Sequence, residues 1–246
     1  LGDVYKRQAW YQREIEIPAA WKGKRIFLYF ERTHWLSSVY VGKEEVSKID
    51  YISIPHNHEL TQWLHPGKKE LITFCIDNRY QYDTHKWDHA HSEFTQINWN
   101  GVLGEIKLVA VDPVYVDDMQ VYPDIKNKSI KVKMTVRNCT EHTASGKISF
   151  HVTGKDYRLQ KEVPVTVTDS ITYIEEEMFL GKDIHLWNEF HPNLYTLDCK
   201  LTSSVDGQSY AHEKSTTFGM REVEAGEDHI IPVSYTHLRA HETLSD

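Results

Sequence analysis

The chain has 246 residues, with 28 Lys and Arg against 36 Asp and Glu, a formal net charge of −8, 40% hydrophobic and 12% aromatic residues. That composition is globular rather than disordered and sufficient for one or two domains with buried cores. The absence of any Lys/Arg block removes the footprint that a phosphate backbone needs, and no run reaches the roughly 20 apolar residues of a membrane helix, so neither nucleic acid nor a membrane is expected as a partner.

Leu1–Gln8 back-translates as CTC GGA GAT GTG TAT AAG AGA CAG. The complementary strand of that DNA encodes Val-Ser-Tyr-Thr-His-Leu-Arg, the order found at Val233–Arg239. One inverted repeat encoding both ends resembles a transposon-end adapter from sequencing-library preparation, whose continuation also accounts for Ala240-His241-Glu242-Thr243. Residues 1–8 and 233–246 are therefore read as adapter-derived and set aside from the fold. On this reading the chain is an internal fragment, which fixes no compartment and leaves periplasm and secretion both open.

From Ala9 onward apolar residues alternate with period two, which predicts strands at Arg13–Ile17, Arg25–Phe30, Ser38–Val41 and Glu70–Ile76. Pro18, Gly23, Gly42 and Pro66-Gly67 supply the turns, and Leu60–Leu64 suits one short helical turn. The apolar run from Glu105 to Val121 is broken at Asp112-Pro113, where proline cannot donate to a central ladder. A domain boundary is placed there, giving a first domain at 9–112 and a second at 113–225. Beyond it, strands are predicted at Ser129–Val136, Gly146–Val152, Glu162–Thr168, Thr172–Phe179, Leu194–Leu201 and His212–Phe218, the last two joined by the hairpin signal Asp206-Gly207. The fold class is all-β, two consecutive β-sandwiches, the second with the strand density of an immunoglobulin-like domain.

Cys75, Cys139 and Cys199 form no C-x-x-C pair and have no histidine at zinc-finger spacing, so they are read as buried free thiols. In Asp83–Glu93, His85, His89 and His91 suggest a metal, but the stretch lacks the helix that would align them and is read as a solvated loop. No metal or cofactor is assigned. Most of the seven tryptophans are expected in the core, with Trp87 and Trp99, which flank the polar loop, as the two candidate stacking platforms. Asn127-Lys128-Ser129 and Asn138-Cys139-Thr140 match the glycosylation sequon by chance.

Trp10-Tyr11-Gln12-Arg13, Trp21–Phe30, Val39–Val46, Leu60–Asn78 and Trp99–Ile106 follow one another in an order that resembles the N-terminal sugar-binding jelly roll of glycoside hydrolase family 2, the β-galactosidases, β-glucuronidases and β-mannosidases. Leu186–Tyr195 resembles that family's "LW-x-x-x-x-P-x-LY" element in its immunoglobulin-like domain, and Phe218-Gly219-Met220-Arg221 its "FG-x-R" exit. One departure is Val41-Gly42, where the family has an Asn-Gly turn.

The resemblance implies a further α/β barrel of about 250 residues or more carrying two catalytic glutamates. Retaining hydrolysis needs two carboxyl groups about 5 to 5.5 Å apart. Residues 226–232 would lead into that barrel, and this chain, without it, would carry no catalytic residue. Asn188-Glu189 imitates the family's acid/base dipeptide but lies inside the sandwich element and is read as a polar turn. The resemblance also implies that the loop after residue 83 touches carbohydrate, with Thr95, Gln96, Asn98 and Asn100 as contacts because amides and hydroxyls both donate and accept like a sugar hydroxyl. The competing reading is that these residues hold the turn entering Gly101. A free-standing carbohydrate-binding or adhesion protein is the alternative function, disfavoured by the barrel-like lead-in Asp228-His229-Ile230-Ile231.

Overall fold

A computed structural model describes residues 8–52, 54–79, 99–225 and 230–232. The chain divides into two compact units, 1–112 and 113–246. Strands account for almost all regular structure, and the exception among the described residues is a single 3₁₀ turn at Ala19–Trp21 that follows Pro18.

The first unit contains β1 (Gln8–Glu16), β2 (Arg25–His34), β3 (Leu36–Val41), β4 (Glu44–Asp50), β5 (His56–Glu59), β6 (Lys69–Asp77) and β7 (Gly101–Val111). They pair antiparallel in two sheets, ordered β1-β6-β3-β4 and β5-β2-β7. Alternation along β2 and β6 turns Ile26, Leu28 and Phe30 toward Ile72, Phe74 and Ile76, and the Phe30 and Phe74 rings lie 4.6 Å apart. Leu60 and Leu64, carried on the short turn after β5, close the core. Each such side chain removed from water contributes roughly 1.5–3 kcal/mol before conformational entropy is charged against it.

The second unit contains β8 (Val114–Asp124), β9 (Ser129–Asn138), β10 (Ala144–Gly154), β11 (Tyr157–Val167), β12 (Ile171–Phe179), β13 (Tyr195–Val205) and β14 (Gln208–Phe218), followed by a short pair, β15 (Val223–Ala225) and β16 (Ile230–Pro232). A three-stranded sheet, β12-β9-β8, faces a four-stranded one, β11-β10-β13-β14. Seven strands split three and four is the plan of immunoglobulin-like sandwiches. Ile130, Val132, Met134 and Val136 on β9 meet Ile148, Phe150 and Val152 on β10 and Leu197, Cys199 and Leu201 on β13 in one core. Asp206 and Gly207 both have positive φ, 49° and 83°, as the two-residue turn between β13 and β14 requires.

Two expectations are corrected. Of the six described tryptophans only Trp35 is buried. Trp10 is 56% exposed, and Trp21, Trp63, Trp99 and Trp187 are half-buried. Trp10 lies on an edge strand, on the face opposite to the Tyr11 ring that stacks on Phe74, so no second sheet covers it. Cys75 and Cys199 are buried thiols, but Cys139 is exposed because it follows the last residue of β9. Burial pushes the Cys75 thiol up to about 11 and the Cys199 thiol up to about 12.

Candidate functional site

Trp87, Thr95, Gln96 and Asn98, with the histidines of Asp83–Glu93, lie outside the described residues. Trp99 and Asn100 are described, and they lead directly into β7. Three strand ends meet around them. Asn78, just past β6, donates its side-chain N–H to the Trp99 carbonyl at 3.0 Å, and the His34 ring at the end of β2 lies 5.2 Å from the Trp99 ring. The Trp35 amide donates to the Asp77 carbonyl at 3.2 Å. Asn100 is exposed and Trp99 half-buried, so an indole and a neighbouring side-chain amide sit together at the surface.

The chain enters β7 through Gly101, whose φ of 104° is strained for any residue with a side chain. A Cβ there would also stand 2.5 Å from the Tyr11 hydroxyl. Asp77 anchors the corner. Its carboxylate accepts from Gln8 Nε2 at 3.0 Å and from Arg79 Nε at 2.9 Å, and from the Arg79 amide at 3.0 Å. Burial pushes the Asp77 carboxyl up, but the hydrogen bonds from Arg79 and Gln8 outweigh it and hold it below the usual carboxylate range. A carboxylate so bound is a fixed anion, not a proton donor.

Beside this corner runs a buried polar relay that periodicity did not reveal. His56 and His58, both on β5, are fully buried. His56 Nε2 lies 2.9 Å from the Tyr51 carbonyl, an acceptor only, so it carries the ring proton there. In the neutral ring Nδ1 is then an acceptor, and Ser37, at 2.5 Å, donates to it. The Ser37 oxygen accepts in turn from His58 Nε2 at 2.8 Å, which leaves His58 Nδ1 to accept from Ser47 at 2.8 Å. One carbonyl thereby sets the direction of four consecutive hydrogen bonds and both tautomers. Burial, then the neighbouring His56, pushes the His58 imidazole down to about 3, and burial likewise lowers His56. Both rings are neutral near pH 7. A sequence signal existed in the pattern His-x-His, but alternating histidines read as a polar stretch.

In the second unit, Asn188-Glu189 forms a turn. The Asn188 side-chain oxygen accepts from the amides of Phe190 at 3.0 Å and His191 at 2.8 Å, and Glu189 is exposed. The turn is fastened to the strand end after β14: the Trp187 amide donates to the Met220 carbonyl at 3.1 Å and the Arg221 guanidinium stands over the Trp187 ring at 4.6 Å. Gly219 packs tightly against the same ring: a Cβ there would lie 3.0 Å from three Trp187 side-chain atoms, and the ring would have to shift to admit it. The "LW" and "FG-x-R" elements, 30 residues apart in sequence, are thus two halves of one packing unit.

Residues 114–221, nearly all of the second sandwich, match the family model described as "Glycosyl hydrolases family 2". That match, together with the relatives and solved structures below, supports a glycosyl hydrolase family 2 fragment. Among curated relatives, a β-galactosidase of Thermoanaerobacter pseudethanolicus is 22% identical over 199 residues, covering 80% of this chain and 26% of the relative. A β-glucuronidase of Paenibacillus borealis is 22% identical over 227 residues, covering 86% of this chain and 35% of the relative. Among solved structures, Bacteroides uniformis β-glucuronidase 2, covalently bound to cyclophellitol-6-carboxylate aziridine, superposes with a TM-score of 0.75 at 16% identity, over 96% of this chain and 29% of that one. The chain therefore spans about a quarter to a third of the length of these proteins.

Proposed function

We infer that this chain is the front portion of a retaining exo-β-glycosidase that cleaves O-glycosidic bonds of β-galactosides or β-glucuronides, and that it carries none of the catalytic glutamates itself. The observation that carries the reading is the family match over residues 114–221, taken with relatives of which the chain spans only 26% and 35%. In that role the first sandwich is a jelly roll that walls one side of the sugar site and the second an immunoglobulin-like spacer. The α/β barrel that completes the enzyme supplies the acid/base and the nucleophile.

The surface corner at Trp99 and Asn100 suits a wall of this kind. An indole packs on the apolar face of a pyranose, and an amide pairs with its hydroxyls. Trp87, Thr95, Gln96 and Asn98 belong to the same proposed contact. Asp77, ionised and held by Arg79, keeps the corner in shape without entering the chemistry. The test pairs the 246-residue chain with the extended reading frame on p-nitrophenyl β-D-galactoside and β-D-glucuronide. The extended frame should hydrolyse one of them and the chain neither. Turnover by the chain that survives repurification would overturn the reading, as would a source gene that ends without a barrel.

A further inference from the structure

A basin of about 760 Å³ opens at one end of the second sandwich, between the β10–β11 hairpin and the Asp183–Leu194 segment that precedes β13. Its walls are braced from within. The Tyr157 hydroxyl donates to the Leu180 carbonyl at 2.5 Å, the His185 amide donates to the Tyr195 hydroxyl at 2.9 Å, and the Asn193 side chain donates to the Leu186 carbonyl at 2.9 Å. The Tyr157 and Tyr195 rings meet edge to face at 5.6 Å. A cavity with bonds of this kind in its floor is already shaped before any ligand arrives.

Its rim is different. Asp156, Asp183, His185 and His191 line the basin, and among the described residues none of their side chains enters an ion pair or a hydrogen bond. Elsewhere on the same unit several charges are paired, Lys147 with Glu162, Lys200 with Glu213, Lys133 with Glu175, and Arg137 with Asp117. Four unpaired polar groups therefore surround this cavity. Their chemistry selects the ligand. No three His, Cys, Asp or Glu side chains among the described residues are grouped to hold a metal ion, and two carboxylates against the single Lys155 repel a phosphate. Carboxylates that accept and imidazoles that accept or donate match a ligand whose hydroxyls do both, and the half-buried Tyr157 ring offers it an apolar surface.

We propose that this basin is a carbohydrate-binding site for one or two pyranose rings of a neutral β-linked oligosaccharide. It rests on the second unit alone and is independent of the catalytic reading above. The test is an amide-shift titration of the ¹⁵N-labelled 246-residue chain with cellobiose and with lactose, repeated on Asp183→Asn/His191→Ala. Those two side chains are exposed and unpaired, so the variant keeps the wild-type thermal midpoint. Saturable shifts confined to residues 154–157 and 183–195 are expected for at least one sugar, with a Kd of about 1 mM, as befits an open site with few hydrogen bonds. Loss of the charged acceptor and one imidazole should weaken binding by about tenfold or more. The proposal falls if neither sugar gives saturable shifts up to about 20 mM. It falls equally if the shifts map to the Trp99 corner, or if the variant binds as tightly as the wild type.

Discussion

Lowering the pH from 7.5 to 5 should cost the first unit about 2 kcal/mol through His58 alone. Its imidazole is held near 3 in the folded chain against 6.5 for an ordinary histidine, so between those values the unfolded chain binds a proton that the folded chain refuses. The stability is complete above pH 6.5 and is lost as the pH falls toward 3. At pH 5 the unfolded ring is almost fully protonated and the folded ring almost fully neutral, which is worth about 2 kcal/mol at 1.36 kcal/mol per unit of pH below 6.5. His56 adds to this loss in the same direction, so the contribution of His58 has to be isolated with His58→Gln, which keeps an amide near the ring position and cannot titrate. Six of the seven tryptophans, all but Trp187, lie in residues 1–112, so urea denaturation followed by tryptophan fluorescence reports mainly on this unit. With urea slopes of about 1–3 kcal/mol per molar, the wild-type midpoint should fall by about 1 M more than that of the variant between pH 7.5 and 5. Equal shifts in the two proteins would refute the neutral buried relay.

Phe150→Ala should destabilise the second unit by about 3–5 kcal/mol in chemical denaturation, because the side chain is 1% exposed in the centre of its core and leaves a cavity. Gly101→Ala should cost the first unit about 1–3 kcal/mol, from a φ of 104° and the Tyr11 hydroxyl in the way, and shift the amide resonances of Trp99 and Asn100. A thiol reagent should modify one cysteine per native chain at pH 8, Cys139, and all three in denaturant, with thiol counting by absorbance as the check. Rapid native labelling of a second thiol would contradict the burial of Cys75 and Cys199.

Where burial is apolar, the pattern could be read directly from the residues. Ile130, Val132, Met134 and Val136 alternate on β9, and Leu197, Cys199 and Leu201 on β13, and every one of them is 3% exposed or less. The break at Asp112-Pro113 and the turn at Asp206-Gly207 carry their own chemistry and need no partner to be recognised. These features are local: a period of two or a glycine at positive φ is a property of neighbouring residues.

The tertiary structure decided what depends on a distant partner. β5 escaped the reading because its inward positions are His56 and His58, polar by any hydropathy measure and buried only because Ser37 on β3, Ser47 on β4 and the Tyr51 carbonyl satisfy them. β4 escaped for a related reason, since no residue of Glu44–Asp50 is fully buried. Trp10 and Trp35 are the same residue type, yet one is 56% and the other 5% exposed, because sheet order and strand face, not composition, determine what covers a side chain. The tryptophan element and the "FG-x-R" element were legible as motifs, but only folding showed that Gly219 is small and Arg221 cationic for the same reason, the ring of Trp187. Sequence alone fixes which residues alternate and where the chain turns. Which polar groups can be buried, and which surface is left uncovered, depend on partners that folding brings from elsewhere in the chain.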